Sequence, residues 1–173
     1  MIIKKRMKFD YTVETYKAFD EAVEAVEEET TKAGFKVLYI HDIKKTIGAN
    51  GFEIEPFKII EICNAESAYT VLKVNIKIGL CLPCKINVYT KDGKTHISGM
   101  RPIVLPRFFP KADLGSLSEE VDKVIRKIID SSKWWRREVS ILWWEVLVPI
   151  QKERYAKGEI DKKEFEEKKK DLS

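Results

Sequence analysis

Apolar positions change their period several times along the chain, and the changes divide it into elements. Residues 8–15, KFDYTVET, read as a first strand. Over residues 15–34 the period becomes helical, with Phe19, Ala22, Val23, Val26 and Ala33 recurring at spacings of three, four and seven. Gly34 stands where a left-handed helix cap is wanted. FKVLYI (35–40) restarts the sheet, and the polar HDIKKTIGANG that follows predicts a turn or a short helical excursion. FKIIEIC (57–63) is apolar on both faces, which predicts a strand covered on both sides by helices or by a partner subunit. Asn64 suits the N-cap of a short helix over 65–74. CKINVYT (84–90) alternates, with Cys84, Ile86 and Val88 on one face and Lys85, Asn87 and Tyr89 on the other. KDGK is a tight Asp-Gly turn into a returning hairpin strand, THISGM.

Beyond a Pro-punctuated loop, RPIVLPRFFPKADLG, a second long helix is predicted. Ser116 and Glu119 have capping-box spacing, and Val121, Val124, Ile125, Ile128 and Ile129 trace the stripe of a helix lying on a sheet. The order strand, helix, four strands, helix predicts an α+β fold of two layers, a β-α-β4-α sandwich over residues 1–131. Residues 132–150 differ. They carry all four tryptophans (Trp134, Trp135, Trp143 and Trp144), and their apolar residues nearly encircle a helix, which must bury itself against another surface. Packing between subunits is the favoured arrangement, ahead of the helix's own domain and of a membrane surface. Residues 151–173 read as a helical hairpin. Gly158 ends its first helix, Asp161 and Glu164 make a capping box, and Ile160 and Phe165 form a hydrophobic staple. So small a unit has almost no core of its own and needs something to dock on.

Composition changes this picture little. The chain has 173 residues, enough for one cored domain and an appendage. Charged residues make up 35% against a usual share of about 25%, and Gln151 is the only glutamine, a thermophile-like profile. A net charge of +4 with both signs interspersed argues against nucleic acid as a partner. No stretch reaches the ~18 apolar residues of a membrane span, and the first residues lack a signal-peptide pattern, so a cytoplasmic location without stable disulfides is expected.

The chemistry-bearing residues are few. Cys81 and Cys84 are spaced as a dithiol, yet the pair precedes a strand and Pro83 excludes helix at Leu82, so the helix dipole that lowers a redox thiol's pKa is missing. One such pair with Cys63, His41 and His96 is a poor match to a zinc site, and no metal is expected. If the strands ending at Cys63 and opening at Cys84 are antiparallel neighbours, both thiols lie at one end of the sheet beside the Asn64 helix start. Cys63, Asn64 and Cys84 are therefore the candidate thiol or ligand site, set against simple packing of small buried side chains. Cys81 and the step His41-Asp42 rank below them, with a turn cap the favoured role for the latter. No phosphate-loop, dinucleotide, nucleophile-elbow or metalloprotease motif appears.

GFKVLYIHDIKKTI, FKIIEICNAESAYTVL and IGLCLPCKINVYTKDGKTHISGMRP resemble, in that order and spacing, the family catalogued as domain of unknown function 302. The resemblance covers about residues 8–131. Its most specific segments are Cys63-Asn64 followed by Ala65 and Ala68, and Leu82-Pro83-Cys84 leading into INVY. Ala65 replaces a proline common in that family, and Cys81 is an addition to its pattern. The resemblance implies a TATA-box-binding-protein-like fold and a dimer, with no function to carry over. Residues 148–172 resemble the short C-terminal domain, SHOCT, on Tyr155, Gly158, Glu159, Ile160, Glu164, Phe165, Lys168 and Leu172. That resemblance implies oligomerisation. The expected protein is a homo-oligomeric binding or interaction module, its cofactor unknown. A small-molecule or thiol-dependent enzyme or metal-ligand site around Cys63 and Cys84, gathered with Asn64 near the RPIVLPRFFP loop, is the alternative, and membrane association through the tryptophans the third reading. Trp134, Trp135, Trp143, Trp144, Ile160 and Phe165 are the expected subunit contacts.

Overall fold

The computed structural model describes residues 8–134. The Trp-rich segment after Trp134 and the hairpin tail, with Trp135, Trp143, Trp144, Ile160 and Phe165, lie outside the described residues. Five strands, β1 (Asp10–Thr15), β2 (Lys36–Asp42), β3 (Phe57–Cys63), β4 (Cys84–Lys91) and β5 (Lys94–Met100), form one antiparallel sheet in the order β1-β5-β4-β3-β2. Five helices join them: α1 (Phe19–Lys32), α2 (Ile43–Gly48), α3 (Ala65–Val74), α4 (Leu105–Phe108) and α5 (Leu117–Ser132). The long elements follow the strand, helix, four strands, helix order of the periodicity.

Alternation in the strands dictates the two layers. Ile60 and Ile62 of β3, Ile86 and Val88 of β4 and Ile97 of β5 point to one face and are fully buried. Ala22, Val23 and Val26 of α1 and Ile125, Ile128 and Ile129 of α5 pack on them as one cluster. Gly99 of β5 lies directly under α5: a Cβ built there would stand 3.0 Å from Ile129 Cδ1 and 3.2 Å from Ile125 Cγ2. Burial at this interface is the main stabilising term, each enclosed Ile or Val contributing roughly 1.5–3 kcal/mol. Polar ties fix the angles. Tyr11 Oη donates to Asp130 Oδ1 at 2.7 Å, and Thr15 Oγ1 donates to the Lys133 carbonyl at 2.8 Å, fastening β1 to the end of α5. A bidentate pair, Arg101 Nε to Asp122 Oδ1 at 3.1 Å and Arg101 Nη2 to Asp122 Oδ2 at 2.8 Å, closes the β5–α5 corner with the Asp122 side chain only 3% exposed.

Local signals act as read, with one difference. Gly34, at φ +78°, follows α1, and the Phe35 amide returns to the Thr30 carbonyl. Asp92 and Gly93, at φ +53° and +74°, make the primed hairpin turn whose twist suits the flanking strands. The Ser116–Glu119 capping box does not form. Ser116 is already in the helical region (φ −80°, ψ −10°), so its hydroxyl cannot reach the third amide and donates to Glu120 instead. Helices α1 and α5 lie on the core face of the sheet and α2 also packs against β3, whose Phe57 and Ile59 sit half-buried on the face away from the core. Phe57 stacks on Tyr89 (5.6 Å between centroids) and Tyr89 on His96 (5.2 Å), an aromatic row across three strands. Sheet edges are kept from further pairing partly by a register irregularity in β2 between Val37 and Tyr39.

Candidate functional site

One end of the sheet gathers the chain's sulfur chemistry. Antiparallel pairing of β3 with β4 sets Ile62 opposite Cys84, so Cys63, the last residue of β3, and Cys84, the first of β4, arrive at the same end. Asn64 then starts α3: its Oδ1 accepts the Ser67 amide at 2.9 Å, and its Nδ2 donates to the Gly34 carbonyl at 3.1 Å. This one side chain caps α3 and ties it to the turn after α1. A 3-10 turn, Ile76–Cys81, follows α3, and an extended Leu82 with a cis Leu82–Pro83 peptide leads into β4.

Above this end two crossing segments meet. Val71 of α3 and Ile78 of the 3-10 turn pack on Leu105 and Leu114 of the loop between β5 and α5, a small core separate from the main one. Between them and the sheet lies a cavity offering about 40 Å³ to the centre of a water molecule. About 10–15 Å³ in that measure holds one water, so there is room for a short apolar group. All three cysteines line it, with Asn64, Ala68, Val71, Met100 and Leu117 among their neighbours. None of the three is in a disulfide.

The Cys84 thiol is held neutral. Burial, the main cause, and the neighbouring Cys63 push Cys84 up to about 11, outweighing the favourable Lys85 charge. At pH 7 a thiol with that value is ionised in about one molecule in ten thousand. A general base is not supplied by His41: β2 brings Lys36 level with Cys63, whereas His41 pairs with Ile59, well along the sheet. His41 Nε2 instead meets Glu61 Oε1 at 3.2 Å, and Asp42 caps α2 by accepting the Lys45 amide at 2.8 Å. His96 is stacked in the aromatic row. Among the described residues no three His, Cys, Asp or Glu side chains are grouped to hold a metal ion. Trp134 is half-exposed, with Lys133 Nζ 4.7 Å from its ring centre.

The RPIVLPRFFP loop, expected near Cys63, Asn64 and Cys84, does supply Pro102 and Leu105 to the far wall of the cavity. Met100, Leu114, Leu117 and Val121, which complete it, are not among the site residues the sequence points to.

Fold and site together define a small α+β sandwich domain with an apolar, thiol-lined cavity at one sheet end. Residues 11–132 match the family described as Domain of unknown function DUF302, and the chain belongs to that family. It is similar to the crystal structure of an uncharacterized conserved DUF302 protein from Bacillus stearothermophilus, at 29% identity and a TM-score of 0.69. The similarity covers 73% of this chain and 99% of that one. No curated protein matches. Among the described residues no helix is long and apolar enough to cross a membrane.

Proposed function

We propose that the domain is a non-catalytic binding module whose cavity takes a short apolar group, the end of a chain or a small ring. The observation that supports this is the cavity itself. It is walled by two apolar segments, and the Cys84 thiol that borders it stays protonated, so it suits retention better than turnover. Cys63, Cys84 and Cys81 then serve as soft, polarisable wall atoms, and Asn64 as the residue that fixes the wall. Ala68→Phe is the test, because Ala68 lines the cavity from α3 and a ring at that position would occupy its space. Native mass spectrometry of the full chain purified without oxygen should show a retained or added alkyl compound on the wild type, absent from the variant. If the wild type holds nothing and binds no medium-chain alcohol or acid more tightly than about 1 mM, this reading is wrong.

A homo-oligomer is the companion reading. Its support is the half-buried row Phe57, Tyr89 and His96 beside Ile59 on the face away from α1 and α5. Ile59→Asp should lower the assembly seen in the same spectra. An assembly unchanged by that substitution would exclude this face as the contact.

A further inference from the structure

The segments that wall the cavity are apolar on their outer side as well. Val71 and Ile78 point inward, while on the same stretch Leu80 is 87% exposed, Ile76 74%, and Tyr69 and Val74 are also exposed. On the opposing loop Leu105 and Leu114 are buried, but Phe108 is exposed. Isolated surface hydrophobes need no explanation, whereas several crowded onto the two segments that pack together over one cavity do.

Charge is distributed with them. Residues 67–112 hold eight Lys and Arg and a single acidic residue, Asp92, while the rest of the chain holds 24 basic against 27 acidic. The overall +4 thus conceals one strongly basic stretch of 46 residues, a correction to the picture of evenly interspersed signs. Lys73 and Lys77 are exposed between Val74, Ile76 and Leu80, and Arg107 and Lys111 flank Phe108. Lys73 Nζ lies 5.5 Å from the Tyr69 ring centre, so one of these cations already rests on an aromatic neighbour.

We propose that this end of the domain docks on an anionic lipid bilayer. Leu80, Ile76, Val74, Tyr69 and Phe108 enter the boundary between headgroups and acyl chains, and Lys73, Lys77, Arg107 and Lys111 meet lipid phosphates. Apolar side chains flanked by basic ones, with acidic residues only at the margins at Glu66 and Asp113, match the two attractions an interfacial segment uses. A second copy of the chain is a poorer occupant, because pairing this surface with itself would bring like charges together. Nucleic acid would use the cations and the rings of Tyr69 and Phe108 but would leave Val74, Ile76 and Leu80, which offer no stacking face, in water.

Full-length protein should sediment with vesicles of phosphatidylcholine and phosphatidylserine, release in high salt, and ignore phosphatidylcholine alone. Lys73→Gln with Lys77→Gln should weaken binding about fivefold per lysine. Ile76→Ser with Leu80→Ser, both at exposed positions, should weaken it at least tenfold. Unchanged melting curves for both pairs would show that the losses are not unfolding. Absence of binding to the anionic vesicles, or binding that survives the Ile76/Leu80 pair undiminished, would overturn the proposal. So would a dimer abolished by those substitutions, or salt-sensitive capture of an oligonucleotide, without vesicle binding. Failure here leaves the cavity reading standing, since Ala68→Phe alters the inside of the wall and these substitutions only its outside.

Discussion

Substituting Gly99 by alanine adds one carbon at the tightest point between the layers. That carbon would sit 3.0 Å from Ile129 Cδ1 and 3.2 Å from Ile125 Cγ2, both side chains being fully buried, with the Lys85 carbonyl 3.6 Å away on the neighbouring strand. Either α5 lifts from the sheet or the isoleucines leave their rotamers. Overpacking of this kind costs about 1–3 kcal/mol. Against it, alanine recovers about 0.5–1 kcal/mol of the entropy a strand glycine loses on folding. Gly99→Ala should therefore destabilise by about 1–2 kcal/mol. Ile129→Val alone deletes the Cδ1 that alanine would strike and should cost about 0.5–1.5 kcal/mol through the void it leaves. Combined, the two changes move a carbon from one side of the contact to the other, and the double variant should lie within about 1 kcal/mol of the wild type. Urea unfolding at a constant m-value reads all four corners of the cycle. Strict additivity, or a Gly99→Ala protein at least as stable as the parent, would refute the claim that α5 needs this glycine.

Three other outcomes follow from the same coordinates. Asp122→Asn should destabilise by about 3–5 kcal/mol in chemical denaturation because it strands the Arg101 guanidinium at a mostly buried corner, whereas Arg101→Met with Asp122→Leu should recover most of the loss. Thr30 is fully buried and its hydroxyl has no hydrogen-bond partner, so Thr30→Val should raise stability by about 1 kcal/mol in thermal melts. Cys84 holds its proton to about 11 when folded against 9.0 for an ordinary thiol. Between those pH values the unfolded chain gives up a proton that the folded one keeps. Stability is thus fully present below pH 9 and falls by up to about 2.7 kcal/mol as pH rises through 11. Subtracting a Cys84→Ala titration of unfolding free energy should isolate that slope, and parallel curves would contradict the buried thiol.

Residues whose partners are near in sequence were readable. The Asp92-Gly93 turn, the Gly34 cap, the Asn64 cap and the stripe on α5 each depend on a few neighbours, and each forms. Ser116 failed although its spacing was right, because the turn leading into α5 had already committed its backbone to the helical region. The candidate site was half legible. Cys63 and Cys84 share a sheet end because alternation predicted their strands, and the loop carrying Leu105 was expected beside them, but Leu114 and Leu117 complete the wall opposite by an approach no local pattern encodes. Asp122 interrupts the apolar face of α5 between Val121 and Ile125. That break in the stripe was a visible sign of a buried charge, though not of Arg101 as its partner.

Strand order has a consequence for how the chain comes into being. The first strand made, β1, pairs only with β5, Asp10 opposite Met100, so it cannot find its place before about 90 further residues exist. Until then Tyr11 and Val13 have no sheet to join. The β4–β5 hairpin, closed by its two-residue turn, needs only its own neighbourhood, and β3 adds to it across the 20-residue connection that holds α3. Growth therefore runs outward from the middle of the sheet, and the oldest strand on the ribosome is among the last to dock. When it does, Tyr11 and Thr15 reach α5 at Asp130 and Lys133, so the beginning of the domain becomes the latch on its end.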